Sequence, residues 1–184
     1  LRKVSDIVKT SVAPARKSRL LYRLLQHYEP EQVIELGTSL GINTLYLSHG
    51  SHAPVVTFEG CRHTAEKAEN LFKTMGKENQ IRLIRGNLDQ ALGPFLEDME
   101  KVDFAFIDAN HSFEPTMRYF NLLAQKSTSS TIIVLDDIHW STDMEKAWLQ
   151  IREDPRVFLS VDLFHVGLAI FKPLYIKQHY ILEF

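Results

Sequence analysis

Apolar residues recur along the chain in two alternating rhythms, one spaced for helices and one run together as in buried strands. Leu20, Leu21, Leu24, Leu25 and Tyr28 fall at helical spacing between Ala15 and Tyr28, and Pro30 stops the pattern, so an amphipathic helix is expected there. Its Arg16, Lys17, Arg19 and Arg23 form the solvated face. Strands are predicted at 32–36, 54–58, 81–85, 102–107 and 131–135. The runs from Val102 and Thr131 are almost continuously apolar, as in strands covered on both faces.

Helical patterns separate these strands. Ala65, Ala68, Phe72 and Met75 mark one over 62–75, and Ala91, Leu92, Phe95, Leu96 and Met99 another over 90–100. Pro115 suits the first turn of a helix that continues through Met117, Phe120 and Ala124. Thr142-Asp143-Met144-Glu145 reads as a capping box ahead of a buried stripe of Met144, Ala147, Trp148 and Ile151, and the helix ends before Pro155. Regular β-α alternation predicts a parallel sheet. The runs at 158–164 and 166–171 are too close for a parallel crossover, so they form an antiparallel hairpin.

The first strand, Val33-Ile34-Glu35-Leu36, runs into Gly37-Thr38-Ser39-Leu40-Gly41, and Glu59 closes the second strand twenty-two residues beyond Gly37. Strand, glycine turn, helix, strand and terminal acid form an α/β device for holding a nucleoside, with the acid on the ribose hydroxyls. A dinucleotide fingerprint has a third glycine, and Glu35 would repel a pyrophosphate while suiting a cationic ligand. The ends of the predicted strands are all polar: Glu35-Leu36-Gly37, Glu59-Gly60, Gly86-Asn87-Leu88-Asp89, Asp108-Ala109-Asn110-His111 and Asp136-Asp137-Ile138-His139. In a doubly wound sheet those ends are where ligands collect.

Composition narrows the classes. The 184 residues fit one domain, 45% hydrophobic and 24% charged, and a formal net charge of −2 gives no general electrostatic case for nucleic acid or an acidic membrane. Cys61 is the sole cysteine, which fits a reducing cytoplasm, and no apolar run approaches the length of a membrane span. The chain begins at Leu1 without a signal peptide's apolar core, and the absent initiator Met suggests sequence upstream.

The turn resembles the first motif, acid-x-Gly-x-x-x-Gly, of class I S-adenosylmethionine-dependent methyltransferases, whose cofactor carries an amine and a sulfonium. The resemblance extends over nearly the whole chain. Val102-Asp103-Phe104-Ala105-Phe106-Ile107-Asp108-Ala109-Asn110-His111 is similar to the fourth-strand motif, and Ile132-Ile133-Val134-Leu135-Asp136-Asp137-Ile138 to the fifth, of the O-methyltransferase branch that includes catechol-type enzymes. Glu114-Pro115-Thr116-Met117-Arg118-Tyr119-Phe120 and Asp136-Asp137-Ile138-His139-Trp140-Ser141 look closest to small bacterial members of unassigned substrate. The resemblance implies an α/β, doubly wound, Rossmann-like methyltransferase fold. That fold has α/β/α layers and a seven-stranded, mostly parallel sheet closed by an antiparallel last strand. Residues 1–184 would form a single domain, with lead helices over 1–30 and the catalytic core over 31–184.

It also implies roles. Glu59 would take the ribose diol of S-adenosylmethionine, with the turn from Gly37 to Gly41 beneath the methionyl part and Gly60 among the cofactor-binding residues. Glu35 would orient the methionine end, Thr38, Ser39 and Asn43 would bond its amine or carboxylate, and Asn87 and Leu88, with Asp89, would flank the adenine. Asp108, beside the cofactor, would join Asp136 and Asp137 as oxygen ligands of a divalent cation, Mg2+ or another that favours hard oxygen donors such as calcium or manganese, that anchors an acceptor hydroxyl. Capping of the following turn is the alternative for Asp136 and Asp137. His111 stands where catechol-type enzymes place a lysine base, and His139 is its rival. Phe113 and Trp140 would wall an apolar acceptor.

These readings lead to O-methylation of a small-molecule hydroxyl. An NAD(P)-dependent oxidoreductase and a non-catalytic nucleoside-binding protein are the alternatives. A homodimer built on the terminal hairpin or the lead helix is a further expectation.

Overall fold

The structure, a computed structural model, describes residues 15–183. The part of the lead-helix region before Ala15 lies outside the described residues. The elements follow in the order α1 (Ala15–Tyr28), β1 (Val33–Leu36), α2 (Ile42–Gly50), β2 (Val55–Glu59), α3 (Arg62–Thr74), β3 (Ile81–Arg85), α4 (Leu88–Glu97), β4 (Val102–Ile107), α5 (Phe113–Gln125), β5 (Ser127–Asp136), α6 (Thr142–Glu153), β6 (Leu159–Asp162), β7 (Val166–Ile170) and β8 (Gln178–Ile181). The expected alternation is present. The chain divides into two compact units, one up to Leu88 and one from Asp89.

In the first unit the strands lie in the order β3-β2-β1, all parallel, with Glu35 beside Thr57 and Val55 beside both Val33 and Ile81. Val33, Ile34, Leu36, Val55, Val56 and Phe58 are buried. Parallel strands covered on both faces lose the polar alternation of a half-exposed sheet, and β1 is buried along its whole length. Leu21 and Leu25 anchor α1 as its spacing predicts, whereas Tyr28 is exposed and Ser18 is buried in the same stripe.

The second unit has the order β4-β5-β7-β6-β8. β4 and β5 are parallel, and β7 pairs antiparallel with both β5 and β6, so the short connection between β6 and β7 is indeed a hairpin. β8 then adds in parallel beside β6. The strands number eight rather than the expected seven. β8 escapes sequence reading because Gln178-His179-Tyr180-Ile181 has no alternating apolar face.

Helix α6 covers this hairpin with Met144, Ala147, Trp148 and Ile151, all buried as the stripe predicts. Its cap is displaced by one residue from the expected capping box. Ser141 is the N-cap, and its hydroxyl accepts the Met144 N–H at 3.2 Å, which leaves Thr142 as the first helical residue. Trp148 lies flat against the backbone of β7. A Cβ on Gly167 would stand 2.8–2.9 Å from three atoms of the indole ring. The indole N–H in turn donates to Asp162 at 3.0 Å, so the ring cannot slide away without leaving a buried polar group unpaired. Gly167→Ala is therefore expected to destabilise the chain by about 1–3 kcal/mol in urea unfolding, the cost of overpacking a filled core.

Candidate functional site

In the first unit, the turn after β1 is built by backbone conformation. Gly37 (φ 105°), Ser39 (φ 48°) and Gly41 (φ 82°) are left-handed, and the N–H groups of Gly37 and Thr38 both donate to Phe58 O. Gly41 is required twice over. Its φ disfavours any side chain, and a Cβ there would lie 2.5 Å from the Phe72 ring, so α3 packs directly against the turn.

Glu35 lies beneath this turn, fully buried. Its Oε2 accepts the hydroxyls of Thr44 at 2.5 Å and Thr57 at 2.6 Å. Because the Thr57 proton is committed to Glu35, the 2.6 Å contact between Thr38 and Thr57 has Thr38 as donor. Asn43, also buried, accepts the Ser18 hydroxyl at 2.6 Å. The side chains of Glu35, Thr38 and Asn43 thus face the protein. There they hold the turn together through hydrogen bonds between its elements.

Glu59 differs. It is only partly buried at the end of β2, and each of its oxygens accepts a backbone amide: Oε2 from Ser39 at 2.9 Å and Oε1 from Cys61 at 2.8 Å. A carboxylate oxygen has more than one acceptor direction, so both retain capacity for hydroxyl donors. Gly60 and Asn87 are exposed, and Leu88 is buried at the start of α4. A cavity of about 500 Å3 in this unit lies elsewhere, between α1 and α2, and none of the expected site residues lines it.

In the second unit, Asp108 follows β4, and Asn110 (φ 62°) and His111 (φ 34°) are consecutive left-handed residues. This backbone brings His111 Nε2 to 3.3 Å from Asp108 Oδ1. The hydrogen bond that His111 donates to Asp108 raises the His111 pKa above the ordinary imidazole value. Burial opposes the rise, and the charges of Asp108, Asp136 and Asp137 add to it.

A network missed in the sequence holds Asn110. Its amide donates to the Tyr119 hydroxyl at 2.5 Å, Tyr119 donates to Asp89 at 2.7 Å, and Arg118 donates to the same Asp89 oxygen at 2.7 Å. Tyr119 is fully buried on α5, and a buried phenol needs a partner. That was the available signal. The hydrogen bond from Tyr119, followed by that from Arg118, lowers the Asp89 pKa.

After β5, Asp136 is buried and Asp137 (φ 51°) turns the chain, its N–H donating to His165 O at 2.7 Å and its carbonyl accepting from Trp140. His139 is placed differently from a free base. Nε2 lies 2.9 Å from Asp162 and Nδ1 3.2 Å from Glu145, so both ring nitrogens are engaged by carboxylates. Burial lowers its pKa, but the bonds to Asp162 and Glu145 outweigh burial and leave it raised. His139 thereby ties the end of β5 to α6 and β6.

The expected metal ligands are Asp108, Asp136 and Asp137. Among the described residues, no group of three His, Cys, Asp or Glu side chains is arranged to hold a metal ion. Asp108 is turned to His111, 3.3 Å from its Nε2. Of the expected aromatic walls, Trp140 is 73% exposed, while Phe113 carries Lys146 Nζ 4.2 Å above its ring. Phe164, which sequence reading passed over, is exposed at the β6–β7 turn and stacks on His139 at 5.5 Å.

Comparison with known proteins places this arrangement. A family profile described as Methyltransferase domain matches residues 34–138, from β1 to just beyond β5. A catechol O-methyltransferase from Niastella koreensis is 26% identical over 132 residues, covering 70% of this chain and 58% of that protein. The chain spans under three fifths of the length of the curated relatives it matches, 59% of one and 58% of the other. Among solved structures, the O-methyltransferase from Bacillus cereus in complex with SAH superposes with a TM-score of 0.76 at 20% identity, covering 91% of this chain and 86% of that one. The O-methyltransferase TomG from Streptomyces achromogenes, in complex with SAM, gives 0.76 at 19% identity, covering 88% and 82%. These likenesses confirm the fold: α/β, mostly parallel, with antiparallel pairing near the end. With more than half its length matched by the family profile, the chain belongs to the methyltransferase-domain family.

Proposed function

We propose that this chain binds S-adenosylmethionine on the turn from Gly37 to Gly41 and transfers its methyl group to a hydroxyl of a small molecule. The observation that carries the reading is Glu59, a partly exposed carboxylate pinned by the amides of Ser39 and Cys61 at the end of β2. There it accepts the two ribose hydroxyls, while the exposed Gly60 and Asn87, with Leu88, shape the adenosine side. The neighbours solved with SAM and SAH support the cofactor class.

The sulfonium is already a good leaving group, so the protein's task is alignment and removal of one proton. The acceptor oxygen attacks the methyl carbon as the carbon–sulfur bond breaks, and the sulfur keeps that electron pair in S-adenosylhomocysteine. His111 Nε2 is held by Asp108, which leaves Nδ1 to take the acceptor's proton. Asp108 then stabilises the imidazolium that forms, as a carboxylate does beside any general-base histidine. Exposed Trp140 and Phe164 offer apolar surface to a flat acceptor, and catechol is the natural probe. Asp108, Asp136 and Asp137 have the oxygen donors of a Mg2+ site, but their arrangement does not fit one, so no step depends on it.

Incubation with methyl-labelled S-adenosylmethionine and a panel of catechols and phenols should give labelled product and an equal amount of S-adenosylhomocysteine. A folded sample that binds the cofactor yet methylates nothing in the panel would contradict the reading. His111→Ala should lower kcat by roughly 10²–10⁴-fold, the usual worth of a general base, with cofactor affinity unchanged. Turnover should persist in EDTA. Loss of turnover in EDTA that Mg2+ restores would instead assign the three aspartates to a metal.

A further inference from the structure

The turn that carries His111 is strained, and its support comes from another helix. The His111 N–H donates to Ala109 O at 2.8 Å, closing a three-residue turn about Asn110, whose φ is 62°. With a positive central φ such a turn takes its rare, strained form. His111 follows at φ 34°, an uncommon conformation for a residue with a bulky ring. Backbone of this kind persists only where its surroundings over-determine it.

Local bonding does not supply that support. Ser112, the next residue, is the N-cap of α5 and makes no side-chain cap bond. Asn110 is exposed, and among the described residues its side chain has no hydrogen bond besides the one it donates to the Tyr119 hydroxyl at 2.5 Å. Water satisfies an exposed amide equally well, so burial does not demand this bond. Nor does Tyr119 require it, because its hydroxyl already donates to Asp89 Oδ1 at 2.7 Å. What the bond adds is position.

The directions along this chain of contacts are fixed. Asp89, in the first turn of α4, accepts only, so it takes the phenol proton and leaves the phenol oxygen to accept from Asn110. Arg118 holds the same Asp89 oxygen through Nη2 at 2.7 Å and Nε at 3.2 Å, and its guanidinium carbon lies 5.5 Å from the Tyr119 ring centroid. Tyr119 itself is fully buried in the second turn of α5, so it cannot follow a shifting loop.

We propose that Tyr119, oriented by Asp89, is a positioning residue for His111: it clamps Asn110 in the left-handed turn and thereby holds the imidazole against Asp108. The consequence for methyl transfer rests on the reading of His111 as the base. Without the clamp Asn110 relaxes, Nε2 leaves Asp108, and Nδ1 loses its aim at the acceptor. A pair on α4 and α5 that touches no reacting atom thus sets the geometry of proton removal.

Proton–carbon NMR of the full chain at a single pH tests the clamp, with the His111 ring signals identified by their absence from His111→Ala. Tyr119→Phe keeps the buried ring and removes both hydroxyl bonds. It should displace the His111 signals while the other histidines keep theirs. Asp89→Asn, which retains an oxygen for the phenol, should leave the His111 signals near their parent positions, and Asp89→Ala should displace them. Asp89 is exposed, so its variants decide the matter if Tyr119→Phe does not fold. In labelled methyl transfer, Tyr119→Phe should lower kcat roughly 10-fold, part of the worth of a general base, with acceptor KM and S-adenosylhomocysteine affinity unchanged. In the His111→Ala background it should cost nothing further. His111 signals that neither Tyr119→Phe nor Asp89→Ala moves would overturn the proposal. So would an equal loss of kcat with and without His111, the mark of a merely structural residue. Displaced signals together with a His111→Ala variant of full kcat would uphold the clamp and refute His111 as the base, which separates the two failures.

Discussion

The carboxylate of Glu35 is the constraint on which the first unit is organised. A fully buried carboxylate is costly unless its oxygens are supplied with donors. Oε2 takes its donors from α2, through Thr44, and from β2, through Thr57, whose hydroxyl oxygen in turn receives Thr38 from the turn itself. Strand, helix, neighbouring strand and turn are thereby tied at one point. Above that point the turn is shaped by three left-handed residues, Gly37, Ser39 and Gly41. Glu59 adds a second tie from the outside by accepting the Ser39 and Cys61 amides. One acid holds the turn from within while the other offers its remaining lone pairs outward.

The second unit solves its charge problem in another way. Asp108, Asp136 and Asp137 occupy neighbouring strand ends, since β4 and β5 pair Ile107 with Leu135 just before them. His111 stands 3.3 Å from Asp108 at this end of the sheet, and its position depends on two consecutive residues in a left-handed backbone. Such backbone costs energy at non-glycine positions and persists where surroundings impose it. Here Tyr119 imposes it, buried and bonded to both Asn110 and Asp89. Strain concentrated after β1, β4 and β5, at Ser39, Asn110, His111 and Asp137, marks the strand ends where the chemistry is assigned.

Most of the scaffold was legible in the sequence because burial on both faces writes itself as apolar runs, and helix punctuation is local. The hairpin of β6 and β7 followed from connection length alone. The cap of α6 moved to Ser141 because two adjacent hydroxyl residues compete for one position, and only geometry chooses between them. Site roles were harder to read. Glu35 looks like a ligand in a linear motif, and its partners Thr44 and Thr57 come from other elements. His111 and His139 are alike in sequence, each beside an aspartate. They separate only when Asp162 and Glu145, distant in the chain, occupy both nitrogens of His139.

The central claim is that the Gly37–Gly41 turn and Glu59 form the seat of a sulfonium nucleoside. Calorimetric titration with S-adenosylhomocysteine tests it without knowledge of the acceptor. Saturable binding at one site by the intact chain, weakened at least about 10-fold in Glu59→Ala through loss of the charged hydrogen bonds to the ribose, is the expected result. A folded chain that does not bind, or a Glu59→Ala variant that binds as tightly as the parent, would contradict it.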